Sequence, residues 1–189
     1  MARIPYPDTD ALTPENRAFL ADLPKLNISR MLAASPGMFK PLTGVFNSYL
    51  NEGLLSEEMR EIVILRVGNL LDSEYEVVHH ERVAKLIGMA PEKVAALSPH
   101  QPQDRFTAEE RDVLRFVDEV VRDGGASSET FAAVAKFMSP AEMVELTLVA
   151  GVYTLVSQFC TTFGIELEDE PLADTGIDDI RSTVNKHSR

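Results

Sequence analysis

Cysteine is nearly absent from this 189-residue chain, and tryptophan is missing altogether. Cys160 is the single cysteine, so one chain can form neither an internal disulfide nor a Cys-x-x-Cys site. Chemistry that passes through a dithiol within the chain is therefore excluded. The lack of disulfides fits a reducing compartment, and we expect a cytoplasmic protein.

Basic residues are also scarce. Lys and Arg number 18 against 30 Asp and Glu, which gives a formal net charge of −12, and no basic stripe interrupts the acidic residues. Because such a chain repels a phosphate backbone overall, we expect no nucleic-acid partner. The N-terminus lacks the apolar run of a signal peptide, and we expect no stretch with the roughly 18 apolar residues of a membrane span and hence no membrane partner.

Strand-like alternation is absent as well, whereas helix signals recur throughout. Capping boxes begin at Thr107 and Ser139, and the helix after Ser56 is apolar over most of its circumference, which predicts a central position. Pro36-Gly37 is expected to close a short helix, with Pro41 in the first turn of the next one. These patterns predict an all-α fold of at least eight helices.

The length and composition suit one domain, which we place at residues 1–168. The acidic remainder, residues 169–189, loses helical periodicity, and we expect it to be extended or packed on a neighbouring protomer. A faint internal repeat overlays residues 56–73 on 140–157 without a gap. It pairs Glu61 with Glu145 and Ser73 with Ser157. The identities are few enough to arise by chance; otherwise they indicate two related helical units.

Ionisable side chains concentrate in an apolar context on two consecutive predicted helices. Glu61 lies on the apolar helix, where a buried carboxylate needs a partner. On the next helix Glu76 and His80 share a face, and Tyr75 and His79 share a neighbouring stripe. Antiparallel packing would bring Glu61 to the same face. A carboxylate that holds an imidazole beside a second carboxylate is a usable proton relay.

Each of these features also has a simpler interpretation. A Glu–His pair at this spacing is common on solvated helix faces. Glu76-x-x-His79 supplies half of a di-iron ligand set, but such a site needs two of these motifs and two further glutamates, so no metal is expected. Arg60 and Arg66 would suit a carboxylate ligand or be ordinary surface charges. Cys160 is expected to be a buried structural thiol.

These residues resemble a known family. The run REIVILRV from Arg60, followed by Tyr75-Glu76 and His80, is similar to the carboxymuconolactone decarboxylase family, which includes the AhpD-type alkylhydroperoxidases. The stretches ISRMLAASPGMFKPL and LVAGVYTLVSQFCTTFGIEL are also similar, so the resemblance covers most of residues 15–168. It implies an AhpD-like helical bundle without metal or organic cofactor. It also implies a homo-oligomer, a trimer or hexamer, with a dimer still open.

The resemblance also assigns positions to the family motif. AhpD-type members carry a glutamate, then Cys-x-x-Cys about a dozen residues later, then a histidine. By spacing, Glu61 and His80 are the glutamate and the histidine, while Ser73 and Glu76 occupy the cysteine positions. Tyr75 stands where family peroxidases have a further histidine. Because both sulfurs are missing, thiol-dependent peroxide reduction is not expected.

What remains resembles the decarboxylase side of the family. It implies a lyase-like, cofactor-independent acid–base enzyme acting on a small lactone or carboxylic acid, by decarboxylation, isomerisation or lactone opening. His80 would transfer the proton, Glu61 or Glu76 would orient it, and Tyr75 would donate a hydrogen bond to a developing oxyanion. The further candidates, for substrate binding, are Arg60, Arg66, Ser73 and His79.

Two other classes of function stay open. One is a peroxidase-related oxidoreductase, against which the missing cysteines count. The other is a non-catalytic ligand-binding or assembly protein, in which Glu61 and His80 form a structural ion pair between two helices. In every case a nearby carboxylate predicts a raised pKa for His80, although burial alone would lower it.

Overall fold

The computed structural model describes residues 1–169, and within that range the all-α prediction is confirmed. This part of the chain forms nine α-helices and a short 3-10 helix, Thr9–Ala11, and contains no β-strand. The α-helices are α1 (Pro14–Asp22), α2 (Asn27–Leu32), α3 (Pro36–Glu52), α4 (Glu57–Leu70), α5 (Glu74–Leu86), α6 (Pro91–Ala95), α7 (Ala108–Asp123), α8 (Ser128–Val134) and α9 (Pro140–Phe163). The predicted acidic tail falls, apart from its first residue, outside the described residues.

Both predicted capping boxes form. The Glu110 backbone N–H donates to the Thr107 hydroxyl at 3.1 Å, and the Glu110 carboxylate accepts from the Thr107 N–H at 2.9 Å. Ser139 and Glu142 make the same exchange at 3.3 and 2.7 Å. These bonds satisfy backbone donors that a helix N-terminus would leave without partners, so the starts of α7 and α9 are set locally.

One predicted boundary is wrong. Pro36 and Gly37 open α3 instead of closing α2, which already ends at Leu32. The physical reason is that proline suits the first helical position, where its missing N–H would have no partner and its φ is already helical. Pro41 therefore lies inside α3, beyond the first turn.

The contacts within the chain group the residues into two compact units. The first unit comprises residues 1–53 and the described residues from 160 onward, with α1 and α3 joined by an edge-to-face contact of Phe19 and Phe39 at 5.0 Å. The second unit comprises residues 54–159 and contains the Glu61–His80 region. The single-domain assignment of residues 1–168 stays a prediction.

Helix α4 is the centre of the second unit, as its apolar circumference predicted. Every residue from 60 to 68 is buried. A short turn joins α4 to α5, and the Ser73 N–H donates to the Gly68 carbonyl at 2.9 Å, so the two helices run antiparallel. A Cβ added at Gly68 would lie only 3.1 Å from Val77. The missing side chain of this glycine therefore lets α4 and α5 approach closely. The buried apolar cluster beside α4 comprises Ile62, Leu65, Ala84, Met89, Ala96, Leu97, Phe106 and Leu114.

The expectation that no segment is long and apolar enough to span a membrane is wrong for α9. An 18-residue window of this 24-residue helix has a mean hydropathy of 1.5, so by length and composition alone α9 is a candidate span, although no such stretch was expected. A core helix passes the same test, and 44% of that window is buried. Glu145 on α9 accepts hydrogen bonds from the backbone before α4, which ties this helix into the second unit.

Candidate functional site

Glu61 and His80 form the centre of the candidate site. Glu61 is fully buried on α4, and its Oε2 lies 2.7 Å from His80 Nδ1 on α5. An ionised carboxylate only accepts hydrogen bonds, so Nδ1 carries the proton in this pair. The antiparallel packing of α4 and α5 thus brings the two residues together, as the sequence predicted. The other ring nitrogen, Nε2, lies on the Glu76 side of the ring.

Glu76 borders the same imidazole from one turn earlier on α5. Its Oε2 lies 3.8 Å from His80 Nε2, which is too long for a hydrogen bond and close enough for a strong charge interaction. The His80 side chain is 15% exposed, whereas Glu61 is completely enclosed. The histidine therefore lies between a buried carboxylate and the part of the site that solvent reaches.

The pKa of His80 reflects opposing effects. Burial lowers the pKa because it disfavours the charged imidazolium, and the nearby Arg60 lowers it further. The Glu61 carboxylate, through its charge and its hydrogen bond, and the Glu76 charge raise it. The carboxylates prevail, and the pKa lies above the ordinary histidine value. The predicted direction is confirmed.

Arg60 completes the charge balance of the site. Its Nε lies 3.9 Å from Glu61 Oε1, and both side chains are almost wholly buried. With His80 as imidazolium, two cations face the carboxylates of Glu61 and Glu76, so the cluster has no net charge.

Tyr75 and His79 pack against each other on the neighbouring stripe of α5. Their ring centroids are 4.4 Å apart, with the planes tilted by 50°. Tyr75 is buried and His79 is half-buried. The predicted pairing is present, one stripe away from Glu76 and His80.

Arg66 has a structural partner in place of the carboxylate ligand considered for it. Its Nε and Nη2 donate to the two carboxylate oxygens of Asp118, each at 2.6 Å, and its Nη1 donates to the Leu97 carbonyl at 3.0 Å. All three nitrogens are therefore used within the fold. Asp118 also borders a polar cleft of about 390 Å³, which is lined by Gln103, Ala108, Arg111, Asp112, Arg115 and Asp118 and includes none of the predicted site residues.

Two residues of α9 belong beside this site although no spacing rule predicted them. Tyr153 presents its ring edge-to-face with His80, with centroids 5.0 Å apart and an interplanar angle of 88°. Ser157 follows one turn later and is fully buried. The internal overlay pairs Ser157 with Ser73, which was the one signal for it. Tyr153 gave no signal because it lies far from His80 in sequence.

Two side-chain hydroxyls in the second unit stand out. Ser73, at the start of α5, and Ser157 are both buried, and neither hydroxyl has a hydrogen-bond partner among residues 1–169. In the same part of the chain, no three side chains of the metal-binding types cluster closely enough to hold an ion together.

The sequence and the fold were compared with known proteins. Residues 36–119 match the model of the carboxymuconolactone decarboxylase family. No curated protein matches the chain. An uncharacterised peroxidase-related protein from Ralstonia eutropha JMP134, described as an alkylhydroperoxidase AhpD core, is 18% identical with a TM-score of 0.77, covering 89% of this chain and 93% of that one.

Two further solved structures have a similar fold. A peroxidase-related protein from Silicibacter sp. TM1040 is 14% identical with a TM-score of 0.74, covering 90% of this chain and 93% of its own. A variant of the debrominase Bmp8 in complex with 2,3,4-tribromopyrrole is 17% identical with a TM-score of 0.69, covering 97% and 95%. At these identities the likeness shows the AhpD-like fold alone. Residues 36–119 are thus similar to the carboxymuconolactone decarboxylase family and the fold is AhpD-like, while the chain lacks the Cys-x-x-Cys motif.

Proposed function

We propose that this protein is a cofactor-independent acid–base enzyme that moves a proton on a small lactone or carboxylic acid. The observation that carries the proposal is the 2.7 Å bond from His80 Nδ1 to the buried Glu61 carboxylate, with Glu76 placed near the opposite ring nitrogen. A histidine held at one nitrogen by a buried carboxylate, with a second carboxylate near the other nitrogen and a side chain that is 15% exposed, is arranged for proton transfer.

The charge state assigns the roles. Because the neighbouring carboxylates raise the pKa of His80, they favour the imidazolium, which acts as a general acid through Nε2 in this proposal. Glu61 orients the ring and stabilises its charge. Glu76, 3.8 Å from Nε2, is placed to take a proton from the substrate. Tyr75 remains the proposed hydrogen-bond donor to a developing oxyanion.

Two alternatives make different predictions. The peroxidase-related relatives favour an oxidoreductase, but Ser73 and Glu76 stand at the family's cysteine positions, and neither side chain is a redox thiol. In the non-catalytic alternative, the Glu61–His80 bond serves only to join α4 and α5, and its loss would lower stability without a change in chemistry.

Deuterium exchange separates these three functions. Furan-2(5H)-one, a small lactone with acidic ring protons beside its double bond, would be incubated in deuterium oxide and followed by proton NMR. We expect the protein to accelerate exchange and His80→Gln to abolish the acceleration with little change in melting temperature. A wild-type protein without acceleration, combined with a large fall in the His80→Gln melting temperature, would favour the structural pair. Thiol-driven reduction of cumene hydroperoxide that depends on Cys160 would favour the peroxidase.

We also propose that the protein is a cytoplasmic homo-oligomer that acts on small molecules and not on nucleic acid, consistent with its net charge of −12. Support for assembly comes from α9, where Val144, Leu148 and Leu155 are about half or more exposed on one side of the helix. A second copy of the chain is the occupant we propose for this apolar stripe. Light scattering at micromolar concentration tests it, since a monomeric mass would contradict it.

A further inference from the structure

Ser73 does not make the hydrogen bond that its position offers. It is the N-cap of α5, yet its side chain accepts no bond from the first turn of that helix. The N-cap hydroxyls of α1, α4, α7 and α8 do accept this bond, whereas that of Ser35 at α3 does not. The Ser73 side chain is only 2% exposed and has no partner in the described part of the chain.

Ser157 shows the same behaviour inside α9. A serine or threonine within a helix commonly donates to the carbonyl four residues earlier, and Thr147 and Thr154 do so on this helix at 2.9 and 2.8 Å. The Ser157 hydroxyl, at 0% exposure, makes no hydrogen bond with any residue from 1 to 169. A buried hydroxyl without a partner destabilises a fold, so two of them in one unit require a reason.

The two serines lie on stripes that border His80. On α5, Ser73, Glu76 and His80 are spaced by three and four residues, which puts them on one side of the helix. On α9, Tyr153 and Ser157 are four residues apart and likewise share a side. Since Tyr153 contacts the His80 ring, the Ser157 side of α9 is the one that faces this stripe of α5.

The direction of α9 follows from its contacts. The Glu145 carboxylate accepts from the Leu54 and Leu55 N–H groups just before α4, at 2.8 to 3.0 Å. Eight residues later, Tyr153 lies against His80, whose own partner sits one to two turns into α4. Helix α9 therefore runs in the same direction as α4 and antiparallel to α5.

This direction fixes the height of Ser157 along α5. Ser157 lies about 6 Å past Tyr153, because four helical residues rise by that amount. On the antiparallel α5, the same step from His80 leads to Glu76 and then towards Ser73. Ser157 is therefore expected at about the level of Glu76, with Ser73 one turn of α5 further on, so we place both serines at the same end of the site.

We propose that the Ser73 and Ser157 hydroxyls together bind the carbonyl oxygen of the substrate, which is a small neutral lactone or ketone. Two hydroxyl donors suit one uncharged acceptor oxygen. Neither of the two stripes carries a lysine or arginine at this end that could pair with a carboxylate on the substrate, which favours a neutral substrate. The inference rests on the proposed proton-transfer function, and it adds the substrate class and the residues that position it.

The proton step then closes without another reactant. Glu76 takes the proton from the saturated carbon beside the conjugated double bond, and the C–H electron pair moves through that double bond into the carbonyl to give a dienolate oxygen held by both hydroxyls. His80 Nε2–H returns a proton to the carbon skeleton at the same or the conjugated position, and the proton on Glu76 then passes to His80 Nε2, 3.8 Å away, which restores both groups. Substrate and product are thus tautomers or isomers, and no atom is gained or lost.

Binding measurements with two probes test the serines apart from catalysis. Furan-2(5H)-one and 2,5-dihydrofuran share a ring and differ in the carbonyl, and NMR titration would give both affinities for the wild type, Ser73→Ala and Ser157→Ala. Each substitution is expected to weaken lactone binding by roughly three- to tenfold, the loss of one neutral hydrogen bond. Affinity for the ether should not change. Melting temperatures should stay level or rise, because an unpartnered buried hydroxyl is removed.

Thr154→Val is the matched control, since its hydroxyl is already bonded to the Ala150 carbonyl and should not affect lactone affinity. Unchanged lactone affinity in both serine variants, or no lactone binding by the wild type, would overturn the inference. Lower melting temperatures with unchanged affinity would assign the serines a structural role and overturn it as well. Serine-dependent binding without deuterium exchange would support the binding site while refuting the proposed function. Exchange that persists with unaltered affinity in both variants would refute only the serine inference.

Discussion

Helices α4 and α9 carry glutamates at matching positions of the internal overlay, Glu61 and Glu145, and the two side chains contact different kinds of partner. Glu61 is enclosed and holds the His80 imidazole. Glu145 is only half-buried and accepts the backbone N–H groups of Leu54 and Leu55. The difference lies in what each helix faces: α4 faces a histidine on the antiparallel α5, while α9 faces the start of another helix.

Each surrounding explains why a carboxylate is tolerated there. The Leu54 and Leu55 N–H groups precede the Ser56 N-cap of α4 and need acceptors, and the half-buried Glu145 carboxylate accepts from both. A fully buried carboxylate such as Glu61 needs a cation, and His80 with a raised pKa supplies it. The sequence pattern therefore locates a glutamate on each helix, but it does not show the glutamate's role. That role depends on the group that the carboxylate contacts, a histidine or backbone N–H groups.

The largest expected contrast is in activity. Glu61→Gln should lower the deuterium-exchange rate by roughly 10²- to 10⁴-fold, because an amide no longer stabilises the imidazolium or fixes its tautomer. Glu145→Gln keeps an acceptor for the backbone N–H groups and should leave the rate within about twofold of the wild type, which is small against the size of a proton-transfer effect. Equal losses in the two variants would remove the distinction between the glutamates.

Alanine substitutions of Glu61 and Glu145 should also differ in unfolding free energy, by a smaller margin than the glutamine variants differ in rate. Glu61→Ala leaves His80 and Arg60 without their carboxylate in a buried site and should cost about 3–5 kcal/mol of unfolding free energy. Glu145→Ala removes the acceptor of two backbone N–H groups at a partly exposed position and should cost about 1 kcal/mol. Urea unfolding of both variants measures the difference. A Glu145→Ala cost as large as that of Glu61→Ala would contradict the assigned roles.

The pH dependence of stability isolates the Glu61–His80 bond. Since the folded pKa of His80 is raised above the unfolded value of about 6.5, the pair contributes its full stabilisation below that value and loses it as pH rises through the folded pKa. The difference in unfolding free energy between wild type and His80→Gln should therefore shrink as pH increases. A difference that grows with pH would reverse the sign and exclude an imidazolium–carboxylate pair.

The sequence predicted the helical fold and the α4–α5 half of the site because both depend on local spacing. Caps at Thr107 and Ser139 fixed helix starts, and a short turn between consecutive helices brought Glu61 to His80. Tyr153 could not be predicted, since its contact with His80 depends on how a distant helix packs. Arg66 was ambiguous for the same reason: its partner Asp118 lies on α7, about fifty residues away.

The smallest expected effect is that of replacing Cys160, and it separates the α9 thiol from the proposed chemistry on α4 and α5. The family's redox positions lie near the start of α5, where this chain has Ser73 and Glu76, while its only thiol, Cys160, lies on α9 and is 3% exposed. Cys160→Ala should leave the deuterium-exchange rate unchanged and cost about 1 kcal/mol of stability, typical of a small buried truncation. Cys160→Ser is the control for oxygen in place of sulfur, and it should cost more because it buries a hydroxyl. Loss of exchange in both variants, with melting temperatures preserved, would place a thiol in the reaction and contradict acid–base chemistry at His80.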